Sequence, residues 1–293
     1  MSEYLSTAVE RRYSFMLRAA GEMAKTAWRL IDAGTVTAEK KPDGTNVTSV
    51  DTTLNRQLID MVAAELPRDL VWGEEASNSD KGNISLAENR WLWVTDPIDG
   101  TNKFWKAIQS EDLSKVNTTI LIAGFAPGET TPSVSVISNP FNRQTAMLSA
   151  HHGGAFYHDL GSHTMRPVHV APEGPSRIAH VQRYDQNSWP EAPYDMTVMR
   201  HMMPFARRAN LPLGMASIAF GDIDLGAFPG DQPHDVAAAA HITHQAGGSA
   251  GSLEGEPYET VDWRVAPVHG LVVAHNDELR NDFLNRLRPQ HAA

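Results

Sequence analysis

The chemistry that this chain offers is concentrated at Asp96 and Asp99, two carboxylates that follow an apolar run and flank a proline. The run, residues 91–95, is rich in aromatic and β-branched side chains, which predicts a buried strand. Because the φ of Pro97 is fixed, the turn between the acids is stiff and can direct both carboxylates and the Ile98 carbonyl toward one point. Mg²⁺ prefers such a cluster of oxygen ligands.

Gly100 and Thr101 follow the second carboxylate directly. Glycine has no Cβ, so an anion can approach the backbone closely at this position. Thr101 is predicted to begin a helix, and the first N–H groups of a helix together with its dipole attract phosphate. The sequence therefore predicts one turn that holds a metal ion and a phosphate side by side.

Two acidic segments upstream of this turn are further candidates for the site. Residues 39–51 contain a Pro-Asp-Gly turn signal and predict an exposed loop, with Asp51 as the cap of a helix over residues 54–66. Residues 70–73 predict a short strand that leads into the pair Glu74–Glu75. On the residues alone, a capped helix and a surface pair of glutamates explain these two segments.

A third acidic candidate, Asp235, lies at the start of an alanine-rich helix that is predicted to end at the glycine pair 247–248. A helix N-cap is the simplest role for an acid at that position. His241 and His244 on the same helix have i, i+3 spacing, but no further ligands with usable spacing for zinc lie near them in the sequence. We interpret both as helix-face or core histidines.

These segments must be positioned by a mixture of helices and strands. Apolar residues at helical spacing predict a long first helix over residues 3–33, closed by Gly34. After the central turn, charges of both signs indicate a connection over residues 103–115. Short β-like runs separated by Gly, Pro and Asn then predict a meander of mostly antiparallel strands. Those runs are residues 118–125, 133–138, 145–150 and 155–157.

The remaining residues predict a second α/β half. It contains a strand-like run at 178–182, a helix-like run at 195–208, and a turn that feeds another strand. We interpret Asp222 and Asp224 as part of that turn and of a polar strand face rather than as metal ligands.

Composition limits the classes of function. The chain has 293 residues, a formal net charge of −10, and 20% charged residues, and its acidic balance argues against a nucleic-acid partner. No apolar run is long enough to span a bilayer and no secretory signal is apparent, so we expect a cytoplasmic protein with no membrane partner. The absence of cysteine excludes disulfides and cysteine-type zinc sites.

The segment Asp-Pro-Ile-Asp-Gly-Thr at residues 96–101 resembles the signature of the inositol monophosphatase family, which consists of metal-dependent, lithium-sensitive phosphatases. Three other family motifs have counterparts in the same order along the chain. They are the loop Lys-x-Asp-Gly-Thr-x-Val-Thr-x-x-Asp at 41–51, Gly-Glu-Glu at 73–75, and the Asp-containing helix at 233–248. The resemblance therefore covers nearly the whole chain.

The resemblance implies a set of metal ligands. One ion is expected on Glu74, Asp96 and the Ile98 carbonyl, and a second on Asp96, Asp99 and Asp235. A third and weaker ion would involve Glu74 and water. The cofactor would be Mg²⁺, as two or three ions, with Mn²⁺ as a substitute and Li⁺ as an inhibitor. Such ions polarise phosphoryl oxygens and activate a water molecule.

The resemblance also assigns roles around the metals. Glu74 and Thr101 would position the attacking water, and Asp51 would orient the threonine hydroxyl. The substrate phosphate would be bound by Gly100, Thr101 and Lys41. The lysine register stays open, because Lys40 is also available in the loop.

The fold implied by the resemblance is α/β (α+β), a layered α-β-α-β-α sandwich with a mainly antiparallel first sheet and a smaller second sheet. We expect an N-terminal half at residues 1–165 and a C-terminal half at residues 166–293, with the site between them. Family members are usually homodimers, which makes a homodimer the expected assembly.

The partner implied is a small phosphorylated metabolite, with inositol 1-phosphate as the default. Histidinol phosphate, 3′-phosphoadenosine 5′-phosphate and fructose 1,6-bisphosphate are the alternatives, because Phe228 stands where the inositol enzymes carry an acidic substrate contact. Other departures from the family pattern raise the alternative of a non-catalytic binding module. They are Asn102 and Lys103 after the signature, His234 in place of tryptophan, and Gln245 in place of glutamate.

Overall fold

The chain begins with a long amphipathic helix, α1 (Ser2–Asp32). Its buried side chains recur at helical spacing and include Phe15, Met16, Ala20 and Met23. Gly34 closes the end of the helix, because its φ of +63° turns the chain so that the Thr35 N–H donates to the Leu30 carbonyl at 3.2 Å. The prediction of a helix over residues 3–33 is confirmed.

The computed structural model describes the chain in ten segments. They are residues 2–42, 44–75, 88–112, 118–139, 146–159, 164–170, 179–181, 224–228, 232–265 and 270–287. The predicted helix at 195–208 and Asp222 lie outside these segments. Of the predicted strand at 178–182, residues 179–181 are described and form a strand. Among the described helices, none has both the length and the hydropathy needed to cross a membrane.

A small antiparallel hairpin leads into the second helix. Strands β1 (Ala38–Lys40) and β2 (Asn46–Thr48) pair with each other, and α2 (Ser49–Glu65) follows without a break. Thr48 is the N-cap of α2, and Asp51 is the third helical residue that completes a capping box. The predictions of Asp51 as the N-cap and of a helix that starts at residue 54 were therefore wrong.

The larger sheet has seven described strands in sequence order. They are β3 (Leu70–Gly73), β4 (Leu92–Asp99), β5 (Thr119–Phe125), β6 (Val134–Asn139), β7 (Ala146–His151), β8 (Gly154–Asp159) and β9 (Thr164–Val168). Strands β3 and β4 are parallel, and the remaining described pairings are antiparallel. The predicted antiparallel meander is confirmed.

As predicted, a helix begins at Thr101. It is α3 (Thr101–Gln109), and it takes the place of the first part of the predicted connection over residues 103–115. Its composition is mostly polar, and only Phe104 and Ala107 are fully buried. The apolar residues Phe104, Ala107 and Ile108 lie on one face at helical spacing, so the helical pattern was present and the error came from giving more weight to the surrounding charges.

The smaller sheet has the described strand order β10-β11-β13-β12. Its strands are β10 (Ala179–Val181), β11 (Leu225–Phe228), β12 (Ser249–Ser252) and β13 (Leu271–Ala274). Helix α4 (Pro233–Gln245) precedes β12, and α5 (Asp277–Leu287) follows β13.

The layers follow from which side chains pack together. On β5, Ile120 and Ile122 pack with α1 and α2, whereas Leu121 and Ala123 pack with α4. The alanines of α4 also contact residues of the smaller sheet, such as Val273. Helix α5 packs on the opposite face of that sheet. The sequence of layers is therefore α-β-α-β-α, as predicted, and α4 is buried between the two sheets.

Candidate metal centre

The parallel pairing of β3 and β4 brings two acidic residues to one edge of the larger sheet. Gly73 pairs with Thr95, and the backbone N–H of Glu74 donates to the Thr95 carbonyl at 3.0 Å. The next residue of β4 is Asp96, which pairs with Leu121 of the α4-facing core. Because side chains alternate along a strand, Asp96 faces α4.

Asp99 reaches the same place through an irregularity in β4. The register against β5 shifts between Asp96 and Asp99, and the strand continues to Asp99 instead of breaking at Pro97 as predicted. Proline, which has no N–H to donate, is tolerated at such a shift. The Ile98 N–H donates to Asp96 Oδ1 at 2.9 Å and fixes that carboxylate.

The first turn of α4 supplies the third acid. The N-cap is Gln232, and Asp235 is the third helical residue, so the N-cap interpretation of Asp235 was wrong. Its Oδ2 accepts the Gln232 N–H at 2.7 Å, which orients the side chain. The ring of the neighbouring His234 brings Nε2 to 3.6 Å from Asp235 Oδ1.

Asp96, Asp99 and Asp235 converge, each with one carboxylate oxygen within 4.8 Å of the others. Burial, and then the surrounding carboxylates, raise the pKa of Asp96 well above its usual range. Burial and the charge of Asp235 raise the pKa of Asp99 to about 7, although Lys103 acts in the opposite direction. Burial also raises the pKa of Asp235 to about 7. Carboxylate oxygens that repel one another in this way are suitable ligands for a hard divalent cation.

Glu74 lies beside this cluster, and Lys41 reaches it from the hairpin. Lys41 Nζ is 2.8 Å from Glu74 Oε1 and 2.7 Å from Glu75 Oε1. Burial alone would lower the pKa of Lys41, but the two glutamates raise it overall. Lys40 Nζ instead turns back to the Gly44 carbonyl at 2.9 Å, so Lys41 is the lysine that enters the site. Sequence reasoning missed the role of Glu75 as a partner of Lys41.

Thr101 and Asp51 are in contact, as the resemblance implied. Thr101 Oγ1 lies 2.9 Å from Asp51 Oδ1 and 2.9 Å from the Ile98 carbonyl oxygen, and its single proton can be donated to only one of them at a time. Asp51 also accepts hydrogen bonds from the backbone N–H and the hydroxyl of Thr48. Burial raises the pKa of Asp51 to about 6 in spite of these donors.

Gly100 is the N-cap of α3 and has a φ of +83°, in the left-handed region. A Cβ built at this position would lie 3.3 Å from Thr118 Cγ2, so both conformation and space favour glycine. The turn is thereby kept free of side-chain atoms where α3 begins, as predicted.

Several other residues named from the sequence lie away from the acidic cluster. Phe228 is fully buried in the apolar core. His241 is buried with Nδ1 2.9 Å from Ser135 Oγ, and His244 stacks on Tyr258 with ring centroids 4.3 Å apart. The interpretation of both histidines as helix-face or core residues agrees with these contacts. Within the described segments, Asp96, Asp99 and Asp235 form the only group of acidic and histidine ligands compact enough to hold a metal.

Comparison with known proteins identifies relatives over the whole chain. A model of the inositol monophosphatase family matches residues 8–292. An inositol-1-monophosphatase from Synechocystis sp. is 26% identical over 243 residues, which cover 80% of this chain and 76% of that protein. A histidinol-phosphatase from Mycobacterium tuberculosis is 26% identical over 270 residues, which cover 92% of this chain and 93% of that protein.

Solved structures show the same fold. Inositol monophosphatase II from Staphylococcus aureus superposes with a TM-score of 0.70 at 20% identity, over 96% of this chain and 94% of that one. An IMPase/NADP phosphatase complexed with Mg²⁺ and phosphate superposes with a TM-score of 0.73 at 18% identity, over 97% and 98% of the two chains.

The family match spans all four motif regions and all three acids of the cluster. The departures at Asn102, Lys103, His234 and Gln245 remove none of those carboxylates. The chain therefore belongs to the inositol monophosphatase family and is a metal-dependent phosphoric monoester hydrolase.

Proposed function

We propose that this enzyme hydrolyses a small phosphorylated metabolite by direct attack of water, with inositol 1-phosphate as the default substrate. The observation that carries the proposal is the convergence of Asp96, Asp99 and Asp235 beside the hydrogen-bonded pair Thr101 and Asp51. Three mutually repelling carboxylates favour a bound cation, and a threonine hydroxyl oriented by a carboxylate can hold a water molecule.

The proposed ligands are the carboxylates of Glu74, Asp96, Asp99 and Asp235 and the carbonyl of Ile98. When bound, two or three Mg²⁺ ions supply Lewis acidity and lower the pKa of water. Glu74 is the only one of these carboxylates that is also paired with a lysine, at 2.8 Å from Lys41 Nζ, within the described part of the chain.

The remaining roles fall to residues around the start of α3. Thr101 holds the attacking water through its hydroxyl oxygen while its proton is donated to Asp51, which stays ionised to accept it. The Gly100 and Thr101 N–H groups bind the phosphate, supported by the positive end of the helix dipole. Lys41 offsets part of the phosphate charge. No covalent phosphoenzyme is needed, because the chain holds the nucleophile rather than supplying it.

Histidinol phosphate is the second candidate substrate. The histidinol-phosphatase from Mycobacterium tuberculosis aligns over more of this chain than the inositol-1-monophosphatase from Synechocystis sp., at the same identity. In addition, the side chain of Phe228 is fully buried and offers no contact to a polyol. The adenosine and fructose phosphates remain alternatives to be compared with these two.

The test is release of inorganic phosphate from inositol 1-phosphate, histidinol phosphate, 3′-phosphoadenosine 5′-phosphate and fructose 1,6-bisphosphate, each with and without Mg²⁺. We expect turnover of at least one substrate in Mg²⁺ and none after chelation with EDTA. A substrate preference is read from the ratio of kcat/KM values. Turnover that persists in EDTA would contradict the proposal.

The finer metal chemistry and the assembly need separate measurements. Activity with Mn²⁺ in place of Mg²⁺ and inhibition by Li⁺ are expected, and calorimetry gives the number of ions bound. A homodimer is expected as well, which sedimentation equilibrium distinguishes from a monomer.

A further inference from the structure

The ammonium group of Lys41 lies between two glutamates at the edge of the acidic cluster. Its Nζ is 2.8 Å from Glu74 Oε1 and 2.7 Å from Glu75 Oε1. The side chains are mostly buried, with 19% exposure for Lys41, 26% for Glu74 and 14% for Glu75. Solvent therefore screens these ion pairs less than it screens pairs on the open surface.

Glu74 belongs electrostatically to the cluster as well as to this ion pair. Its charge raises the pKa of Asp96, Asp99 and Asp235. A positive charge held on Glu74 Oε1 consequently relieves repulsion that a divalent cation would otherwise have to relieve. The ammonium group of Lys41 and a metal ion would thus both neutralise the same carboxylate, that of Glu74.

The backbone around Lys41 places the ammonium there. Lys41 N donates to the Thr45 carbonyl at 2.8 Å, and its own carbonyl accepts the Gly44 N–H at 2.9 Å, which closes the tip of the β1–β2 hairpin. In the strand pair next to the tip, Asn46 Nδ2 donates to Asn102 Oδ1 of α3 at 2.7 Å. The hairpin is thus attached to the site at two points, and one of them is the Lys41 ion pair.

We propose that Lys41 is a built-in competitor for the divalent cation: in the metal-free enzyme its ammonium group neutralises Glu74 and Glu75, and it must leave Glu74 before a metal ion can bind there. This inference rests on the proposed function, because it assumes that Glu74 is a metal ligand. The freed ammonium group is then available to the substrate phosphate. Metal loading and the position of the hairpin tip are coupled through this one side chain.

The experiment measures Mg²⁺ affinity by isothermal titration calorimetry, without substrate, in the wild-type enzyme and in Lys41→Met. We expect the Kd for Mg²⁺ to fall about tenfold in Lys41→Met, because the ion no longer displaces an ammonium group from Glu74. Lys40→Met is the matched control. It removes the same charge one residue away, from an exposed amine that contacts the Gly44 carbonyl, and its Kd should stay within about twofold of wild type.

A second variant at Lys41 and a thermal-melt measurement distinguish competition between Lys41 and the metal from a general disturbance of the β1–β2 hairpin. Lys41→Arg keeps the charge and should keep the wild-type Kd within about threefold. In thermal melts with EDTA, Lys41→Met should have a lower Tm than wild type, and Mg²⁺ should raise its Tm by more than it raises that of wild type.

The outcomes distinguish this inference from the proposed function. If all four proteins bind Mg²⁺ with equal affinity, or if Lys41→Met binds it more weakly, the competition is overturned while the metal site stands. The competition is also overturned if Lys41→Arg tightens binding as much as Lys41→Met does. If none of the proteins binds Mg²⁺, the proposed function fails, and the inference fails with it.

Discussion

Asp51 and Asp99 are acids of the same site, but their surroundings differ in kind. Asp51 accepts hydrogen bonds from the Thr48 N–H, the Thr48 hydroxyl and the Thr101 hydroxyl. Asp99 faces Asp235, whose charge disfavours its ionised form. The protein therefore gives three hydrogen-bond donors to Asp51 and one backbone donor, Gly100, to Asp99, which leaves Asp99 suited to a bound cation.

This difference gives the neighbouring acids two roles, one of orienting a hydroxyl group and one of binding metal. A carboxylate whose oxygens are occupied by protein donors orients a neighbour, here the hydroxyl of Thr101. Carboxylates that each accept a single backbone N–H and repel one another keep oxygens available to bind metal. Variants at Asp51, Asp96 and Thr101 test whether this division holds.

The largest expected effect is on turnover in Asp96→Asn. An amide in place of the most deeply buried carboxylate of the cluster removes one charge from the cation site, and we expect kcat/KM to fall by at least about a thousandfold. Phosphate release checks the loss, and circular dichroism checks that the fold is kept. Turnover near the wild-type rate would contradict the assignment of Asp96 as a ligand.

The next effect is on the water-positioning hydroxyl. Thr101→Val keeps the shape of the side chain but removes the hydroxyl that lies 2.9 Å from Asp51 Oδ1, and we expect kcat to fall about a hundredfold. Thr101→Ser retains the hydroxyl and should lose less than about tenfold. In both variants the Mg²⁺ affinity measured by calorimetry should be unchanged. Weaker Mg²⁺ binding in Thr101→Val would make the hydroxyl a part of the metal site instead.

Substitutions at Asp51 and Asp96 are also expected to change the stability of the metal-free protein in opposite directions. Asp51→Asn turns an acceptor of three hydrogen bonds into a group with donors of its own, and we expect a loss of about 2 kcal/mol in the free energy of unfolding. Asp96→Asn keeps an oxygen for the Ile98 N–H and relieves repulsion, so it should be more stable than wild type. Denaturant unfolding in EDTA measures both changes. Two changes of the same sign would remove the distinction between the acids.

The most gradual effect is the pH dependence of metal binding. The pKa values of Asp99 and Asp235 are raised to about 7, so below pH 7 a metal ion must displace protons. We expect Mg²⁺ affinity to rise by about tenfold in all between pH 6 and 8 for each proton displaced, because a carboxyl group with a pKa of about 7 loses most of its proton over this range. Calorimetry in buffers of different ionisation enthalpy counts the protons released. An affinity that does not vary over this range would contradict the raised pKa values.

Protein stability alone is a less direct readout of the same groups. An acid whose pKa is raised by folding stabilises the metal-free protein as the pH falls through 7 toward the unfolded value near 4. His241 acts in the opposite direction, because burial lowers its pKa to about 3 and the folded state resists protonation below the unfolded value near 6.5. The pH dependence of metal affinity is free of the contribution of His241, because His241 lies in the core away from the acidic cluster.

Much of the fold could be predicted because its signals are local. The strand before Asp96, the glycine that ends α1 and the alanine-rich composition of α4 each depend on a few neighbouring residues. The convergence of acids from three parts of the chain was not visible in the spacing. It came only from the resemblance to a family, because no local pattern states that α4 lies between two sheets.

The errors at helix starts have a common cause. In both α2 and α4 the acid is the third helical residue and accepts the N–H of the N-cap residue, so the helix begins two residues before the acid. An acid near a helix start is equally compatible with either arrangement in sequence. Likewise, the contact between Lys41 and Glu75 depends on how the β1–β2 hairpin lies against β3, which the sequence does not state.

The position of α4 late in the chain determines when, during synthesis, the acidic cluster can be completed. Residues Glu74, Asp96 and Asp99 leave the ribosome well before residues 233–245, and the helix that carries Asp235 also fills the space between the two sheets. A nascent chain that stops short of α4 has neither the complete acidic cluster nor its central layer. The ion proposed on Asp96, Asp99 and Asp235 therefore cannot bind with its full set of ligands until α4 has been made, whereas Glu74, Asp96 and the Ile98 carbonyl are already present earlier.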